Sequence, residues 1–286
     1  MSPRLPRFLN DRKPRAIARV FVFLLVLVGC TFVIGSVVSV LTLRVSSATV
    51  NNYISPAATL LAFVLAHVVM LRAVEKKPWS AVGLGRENAR IPILGEGFIL
   101  GVCAIGIPSL LLLAGSQLRI LDARDGSSLQ AAGLGIVTLL PAAFYEELAT
   151  RGYAFMAIRE AFGWKAALIV TSTVFGLLHM MNPNVDAESV LLVILAGFFL
   201  GAILLATGSL FAAGMAHFGW NWFMAGLLHT NVSGISVPSP DYSIVDNGPD
   251  WLTGGAWGPE GGFAAGLGMI VAFVYLYARR IRRLES

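Results

Sequence analysis

Apolar residues in this chain come in long runs separated by short polar stretches. Eight runs, at 20–43, 55–74, 92–115, 132–158, 164–181, 188–206, 209–229 and 261–279, are mostly hydrophobic and nearly free of charge. A helix rises about 1.5 Å per residue, so about 20 apolar residues cross a hydrocarbon core of about 30 Å. The pattern predicts an all-α, polytopic membrane protein of about eight transmembrane helices. The fourth run is the least regular, because it contains Pro141 and a cluster of ionisable residues.

Composition agrees. The 286 residues are 56% hydrophobic and 13% charged, with a mean hydropathy of +0.75, against roughly 25% charged in an average soluble domain. The runs leave no soluble stretch long enough to fold alone. The chain divides into a basic tail (1–19), a transmembrane domain (20–279) and a second basic tail (280–286). The first tail is expected to be mobile. The first run is too long for a signal peptide and lacks a small-residue cleavage site, so it reads as a retained span.

The loops carry an orientation signal. With both termini cytoplasmic, the inner tails, turns and flanks hold 18 of the 21 Lys and Arg residues, and the outer side keeps Arg44, Arg119 and Arg124. Every loop then obeys the positive-inside rule. The net charge of +5 follows from this topology, beside lipid headgroups, and no nucleic-acid partner is expected. An integral protein of a bacterial plasma membrane is the expected setting.

Smaller features refine the picture. Gly97/Gly101, Gly197/Gly201 and Gly262/Gly266 have the spacing of close helix contacts. Cys30 and Cys103 fall inside apolar runs and read as packing residues. The outer stretch 230–260 is rich in Gly, Pro, Ser and Asp and has no Lys or Arg, which predicts a loop. Its Trp251 and Trp257 are expected at the membrane interface.

Ionisable groups inside a span are costly, and they face a bundle interior or a wet cavity. The fourth run contains FYEELATRGY, with Glu146, Glu147 and Arg151. The fifth ends FGLLH, with Phe175 and His179. The seventh contains HFGWN, with His217 and Asn221. Residues four apart share a helix face. Glu147 can therefore pair with Arg151, Phe175 can pack on His179, and His217 and Asn221 can aim at one point. Glu146 stands about 100° round the helix and is the less satisfied carboxylate. Counting along the helices at about 1.5 Å per residue, Glu146 and His179 lie about 20 Å from their inner ends and His217 about 12 Å. Spans 4, 5 and 7 thus bring polar groups to similar depth and predict a shared cavity. His67 and His229 read as packed or hydrogen-bonded, and Glu96 as a group snorkelling to water.

EELATR, FGLLH and HFGWN, in this order on separate hydrophobic spans, resemble the three motifs of the CPBP intramembrane proteases. That family, also called Abi, includes the CAAX prenyl endopeptidases and bacteriocin-processing and immunity proteins. The resemblance covers about 130–230 and matches every polar position. It implies hydrolysis of a peptide bond in a membrane-associated protein or peptide, either CAAX-like or leader-peptide processing. In that chemistry Glu146 with His179 would activate water, and His217 with Asn221 would stabilise the oxyanion. Glu147, Arg151 and Phe175 would support them. The resembled family is often described as metalloproteases, and Glu146, His179 and His217 could hold a zinc ion. The sequence leaves open whether a metal is used.

Other protease chemistries lack their marks, since the chain has no HExxH, GxSxG or GxGD motif. Two readings of another class stand beside the protease. One is a proton-coupled transporter, which also uses buried Glu, His and Arg. The other is a non-catalytic immunity or scaffold protein. Substrate identity and oligomeric state are not written in the residues.

Overall fold

The computed structural model describes residues 12–121, 128–236 and 243–279. The expected tail segments 1–11 and 280–286 lie outside these. Each of the eight apolar runs lies on a helix: α1 (Arg12–Leu41), α2 (Ser55–Val68), α3 (Ile91–Ala114), α4 (Ser128–Arg151), α5 (Tyr153–Leu178), α6 (Ala187–Thr207), α7 (Leu210–Trp222) and α8 (Phe263–Arg279). Wider π turns extend α2 at both ends, over Val50–Ile54 and Val69–Val74, and α7 over Phe223–Leu228. By length and composition, five helical segments among the described residues can cross a membrane, and one of them, Ala132–Met181, takes in most of α4 and all of α5. The first helix starts earlier than expected. Arg12–Arg19 belongs to α1 rather than to a mobile tail.

The fourth run does not continue to residue 158. Gly152 leaves helical geometry (φ −78°, ψ −124°), and His67 holds the break. The backbone N–H of Tyr153 donates to His67 Nε2 at 3.1 Å, while His67 Nδ1 donates to the Phe63 carbonyl at 2.8 Å. His67 is fully buried and is hydrogen-bonded, as its position in an apolar run predicted. A Cβ at 152 would fall 2.3 Å from His67 Nε2 and 2.5 Å from the Leu148 carbonyl, so only glycine fits. A second break at Gly163 (φ 84°, ψ 168°) uses backbone conformations that L side chains rarely adopt. These two breaks turn the chain back, so that α5 returns alongside α4.

Close glycine contacts fix the neighbours. A Cβ on Gly97 would lie 2.2 Å from the Ala212 carbonyl, and one on Gly101 1.9 Å from that of Ala216. The α3 and α7 backbones therefore touch, and the matched order of the pairs makes the two helices run the same way. Gly176 meets Ile194, Gly197 meets Ser172 and Gly201 meets Leu168, so α5 and α6 run in opposite directions. The apolar core lies between α3 and α8, with Leu148, Phe175, Leu200, Ala213 and Trp220 all buried in it. By contrast α1 leaves Leu25, Val28, Phe32 and Val33 exposed, as expected of a helix facing lipid.

At the end opposite the break at Gly152, a short antiparallel pair forms between β1 (Leu118–Leu121) and β2 (Ser243–Asp246), with Leu118 opposite Asp246. The stretch after α7 is more tightly packed than its composition predicts. Gly234 N–H donates to the Trp257 carbonyl at 2.9 Å, and Asn231 Nδ2 to that of Ala256 at 2.8 Å. Trp257 is 2% exposed and packs in the core, which corrects its expected place at the interface.

Candidate active site

Three helices deliver the site. Near the end of α4, Glu146 and Glu147 point to different surroundings because adjacent residues diverge by about 100°. Glu147 has no exposed side-chain surface, whereas that of Glu146 is 27% exposed. Glu146 faces a cavity of ≈ 710 Å³ walled by parts of α2, α4 and α5 and by the segment after α7.

Glu147 is tied on two sides. Its Oε1 accepts from Arg151 Nη1 at 3.2 Å and from His217 Nδ1 at 3.1 Å. Arg151, also buried, donates through Nη1 to Thr150 Oγ1 at 2.7 Å and through Nη2 to the Gly197 carbonyl at 2.8 Å. Its guanidinium lies 4.3 Å from the centre of the Phe175 ring, a cation–π arrangement. The i,i+4 pair predicted between Glu147 and Arg151 is present. Arg151 is thereby a member of this buried network, and not one of the inner flanking cations among which it was counted.

Phe175 is a common wall. Its ring centre is 4.8 Å from that of His179 and 5.8 Å from that of His217, the latter edge-on. His179 Nδ1 donates to the Phe175 carbonyl at 2.8 Å, which turns its Nε2 towards Glu146. The two Nε2 atoms converge on one carboxylate oxygen, with Glu146 Oε2 3.8 Å from His179 Nε2 and 3.7 Å from His217 Nε2. These gaps are too long for direct hydrogen bonds and suit a bridging water. Asn221, one turn beyond His217, lines the same cavity. The seven residues singled out from the sequence therefore come together in one place.

Convergence was expected from helix depth, but one part of that estimate is corrected. Glu146 stands five residues from the end of α4, about 7.5 Å, and not about 20 Å from the inner end of its helix. The groups meet because the breaks at Gly152 and Gly163 fold α5 back beside α4.

One carboxylate at the site escaped sequence reading. Glu260 is 8% exposed; it accepts from Trp220 Nε1 at 2.6 Å, and from Ser233 N and Oγ at 2.6 and 2.7 Å. With His179, His217 and Asn221 it lines a second, small cavity of ≈ 30 Å³, room for a water molecule. A glutamate in a Gly- and Pro-rich stretch reads as solvated. The only hint in the sequence was its place next to the last apolar run.

Among the described residues no three His, Cys, Asp or Glu side chains form a group able to hold a metal ion as arranged. A tetrahedral zinc at about 2.1 Å from each ligand keeps the ligand atoms about 3.4 Å apart. Glu146, His179 and His217, the expected ligands if zinc is used, stand wider at 3.7 and 3.8 Å.

Comparison with known families bears on the same stretch. The profile described as type II CAAX prenyl endopeptidase Rce1-like matches residues 128–223. These residues are similar to the CPBP family on the strength of that profile. The match spans α4 to the end of α7 and contains Glu146, Glu147, Arg151, Phe175, His179, His217 and Asn221. It covers about a third of the chain. No curated protein and no solved structure matches the chain. The matched stretch sits in a polytopic helical membrane protein, and the profile it matches is one of CAAX-type endopeptidases.

Proposed function

We propose that this protein is an intramembrane endopeptidase that hydrolyses a peptide bond in a membrane-associated polypeptide, with Glu146 as the base that activates water. The observation that carries this reading is the approach of two imidazole Nε2 atoms to one oxygen of Glu146, at 3.7 and 3.8 Å, on the wall of a ≈ 710 Å³ cavity.

The chemistry follows from proton positions. His179 donates its Nδ1–H to the Phe175 carbonyl in a hydrogen bond, so Nε2 of the neutral ring offers a lone pair. A water held between that lone pair and Glu146 can lose a proton to the carboxylate as its oxygen attacks the scissile carbonyl. Asn221 supplies an N–H donor for the developing oxyanion. His217 donates its Nδ1–H to Glu147 in a hydrogen bond, so it can also donate from Nε2 only as the imidazolium, beside two carboxylates. Collapse of the tetrahedral intermediate breaks the C–N bond, and the proton held by Glu146 passes to the leaving amine. Glu147, Arg151 and Phe175 hold the imidazoles in place. No step is routed through a metal, and we propose a metal-independent glutamate mechanism.

Comparing membrane-derived peptides from cells carrying the wild-type chain or Glu146→Ala tests the assignment. Fragments present with wild type and absent with the variant, at equal protein level, support it. Identical fragment sets contradict it.

A further inference from the structure

The large cavity reaches one end of the bundle, its mouth end, where residues of three connections line it. Asn51, Asn52 and Tyr53 belong to the α1–α2 connection, Asn182 to the α5–α6 connection, and Ser233 and Ser236 to the segment after α7. All three connections lie at the same end of the helices. The opposite end carries a dense ionic cluster. There Arg19 donates to Glu75 at 2.5 Å and to Glu160 at 2.8 Å, and Lys77 reaches Glu160 at 2.5 Å.

Basic residues separate the two ends just as sharply. The α2–α3 connection, the start of α1 and the part of α5 around the Gly163 break contribute Lys13, Arg15, Lys76, Lys77, Arg86, Arg90, Arg159 and Lys165. The mouth end has Arg44 and Arg119 among the described residues, and the 230–260 stretch of the sequence has neither Lys nor Arg. Short basic loops are retained in the cytoplasm. We infer that the catalytic cavity opens to the extracytoplasmic side, and that its substrate is an internal, extended polypeptide segment presented there.

The lining argues for an internal segment. Among the described residues lining the large cavity there is no Lys or Arg, and the one carboxylate is Glu146. A substrate ending close to the cleaved bond would bring its own C-terminal carboxylate into this space beside Glu146, with no Lys or Arg to meet it. The amides of Asn51, Asn52 and Asn182 and the hydroxyls of Ser233 and Ser236 suit the uncharged peptide groups of a continuous chain. The buried Glu260 and Trp257 fasten the segment after α7 over the same end, so this side is a built wall and not a frayed loop.

The side on which the cavity opens does not depend on the protease reading; the nature of the occupant does. Two measurements on the full chain keep these apart. In a Cys30→Ser, Cys103→Ser background, Asn52→Cys and Ser236→Cys mark the mouth and Lys76→Cys marks the opposite end. Spheroplasts are treated with a membrane-impermeant maleimide before and after permeabilisation. The expected result is labelling of both mouth positions in intact spheroplasts and of Lys76→Cys only after permeabilisation. The reverse pattern overturns the inference whatever the enzyme does. The second measurement uses membrane-anchored reporters carrying one peptide library segment on either side of the membrane. Cleavage confined to the extracytoplasmic segment supports the occupant, and cleavage confined to the cytoplasmic one overturns it. Outer labelling with no cleavage on either side, while Glu146 is intact, would keep the orientation and overturn the occupant together with the protease reading.

Discussion

His217 Nδ1 lies 3.1 Å from Oε1 of Glu147, the same oxygen that takes Arg151 Nη1 at 3.2 Å. One buried carboxylate therefore both neutralises an arginine on its own helix and sets the orientation of a histidine 70 residues away. Glu147→Gln keeps the shape but replaces an acceptor oxygen pair by an amide that can present N–H to the ring. If the amide turns that way, His217 must change tautomer or rotate. The expected outcome is loss of most cleavage with little change in the amount of folded protein, measured by reporter cleavage and size-exclusion profile.

Arg151→Met should be worse for the fold than for any single contact. It leaves Glu147 buried beside one imidazole and removes the bonds to Thr150 and Gly197 and the stacking on Phe175. Breaking a buried ion pair by deleting one partner costs roughly 3–5 kcal/mol. A lowered Tm in detergent is expected, and Arg151→Lys should not restore it, because an ammonium cannot reproduce the planar fork.

Asn221→Ala tests the oxyanion role. Loss of such a donor typically lowers kcat by about 10²–10³-fold. The expected change is in kcat, with KM and Tm nearly constant. An equal fall in Tm would assign Asn221 to packing instead.

Gly152→Ala puts a methyl group 2.3 Å from His67 Nε2 and 2.5 Å from the Leu148 carbonyl. Overpacking of this kind costs roughly 1–3 kcal/mol. Because the break at Gly152 sets where Glu146 meets His179, cleavage should fall with stability. His67→Ala, which leaves the Tyr153 N–H without its acceptor, should lower Tm in the same direction.

At the end of the bundle opposite the cavity mouth, Glu75 gives a pH signature. Burial alone would raise its pKa, but the Tyr153 hydroxyl at 2.6 Å and the nearby Arg19 and Lys77 outweigh burial and hold it below the usual value of 4.5. A carboxyl depressed on folding adds stability above its unfolded pKa and loses it as pH falls through the folded one. The Tm advantage of wild type over Glu75→Gln should be full near neutrality and shrink below about pH 4, as thermal denaturation across pH would show.

Much of this was readable in advance because the cost of burying polar groups in lipid is local. Eight apolar runs gave eight helices, and Glu146, Glu147, Arg151, His179 and His217 stood out as ionisable groups inside them. The break at Gly152 was not readable. The run from 132 to 158 stays apolar through it, and what ends the helix is a hydrogen bond from His67, far away in sequence. The tie between Glu147 and His217 was hidden for the same reason, since i,i+4 spacing reports only partners on one helix. Glu260 was missed because its neighbours are loop-forming, and its burial depends on Trp220 and Ser233 closing on it from elsewhere in the fold.

The central claim is that Glu146 activates water for peptide hydrolysis without a metal. The most direct measurement is proteolysis by the purified full chain in lipid nanodiscs, in ¹⁸O-labelled water with a strong chelator present, with mass spectrometry of the new C-termini. The account predicts ¹⁸O in every new C-terminus from wild type, cleavage undiminished by the chelator, and no new termini from equally folded Glu146→Gln. Undiminished cleavage by Glu146→Gln, or wild-type activity that vanishes with the chelator and returns with zinc, would contradict it.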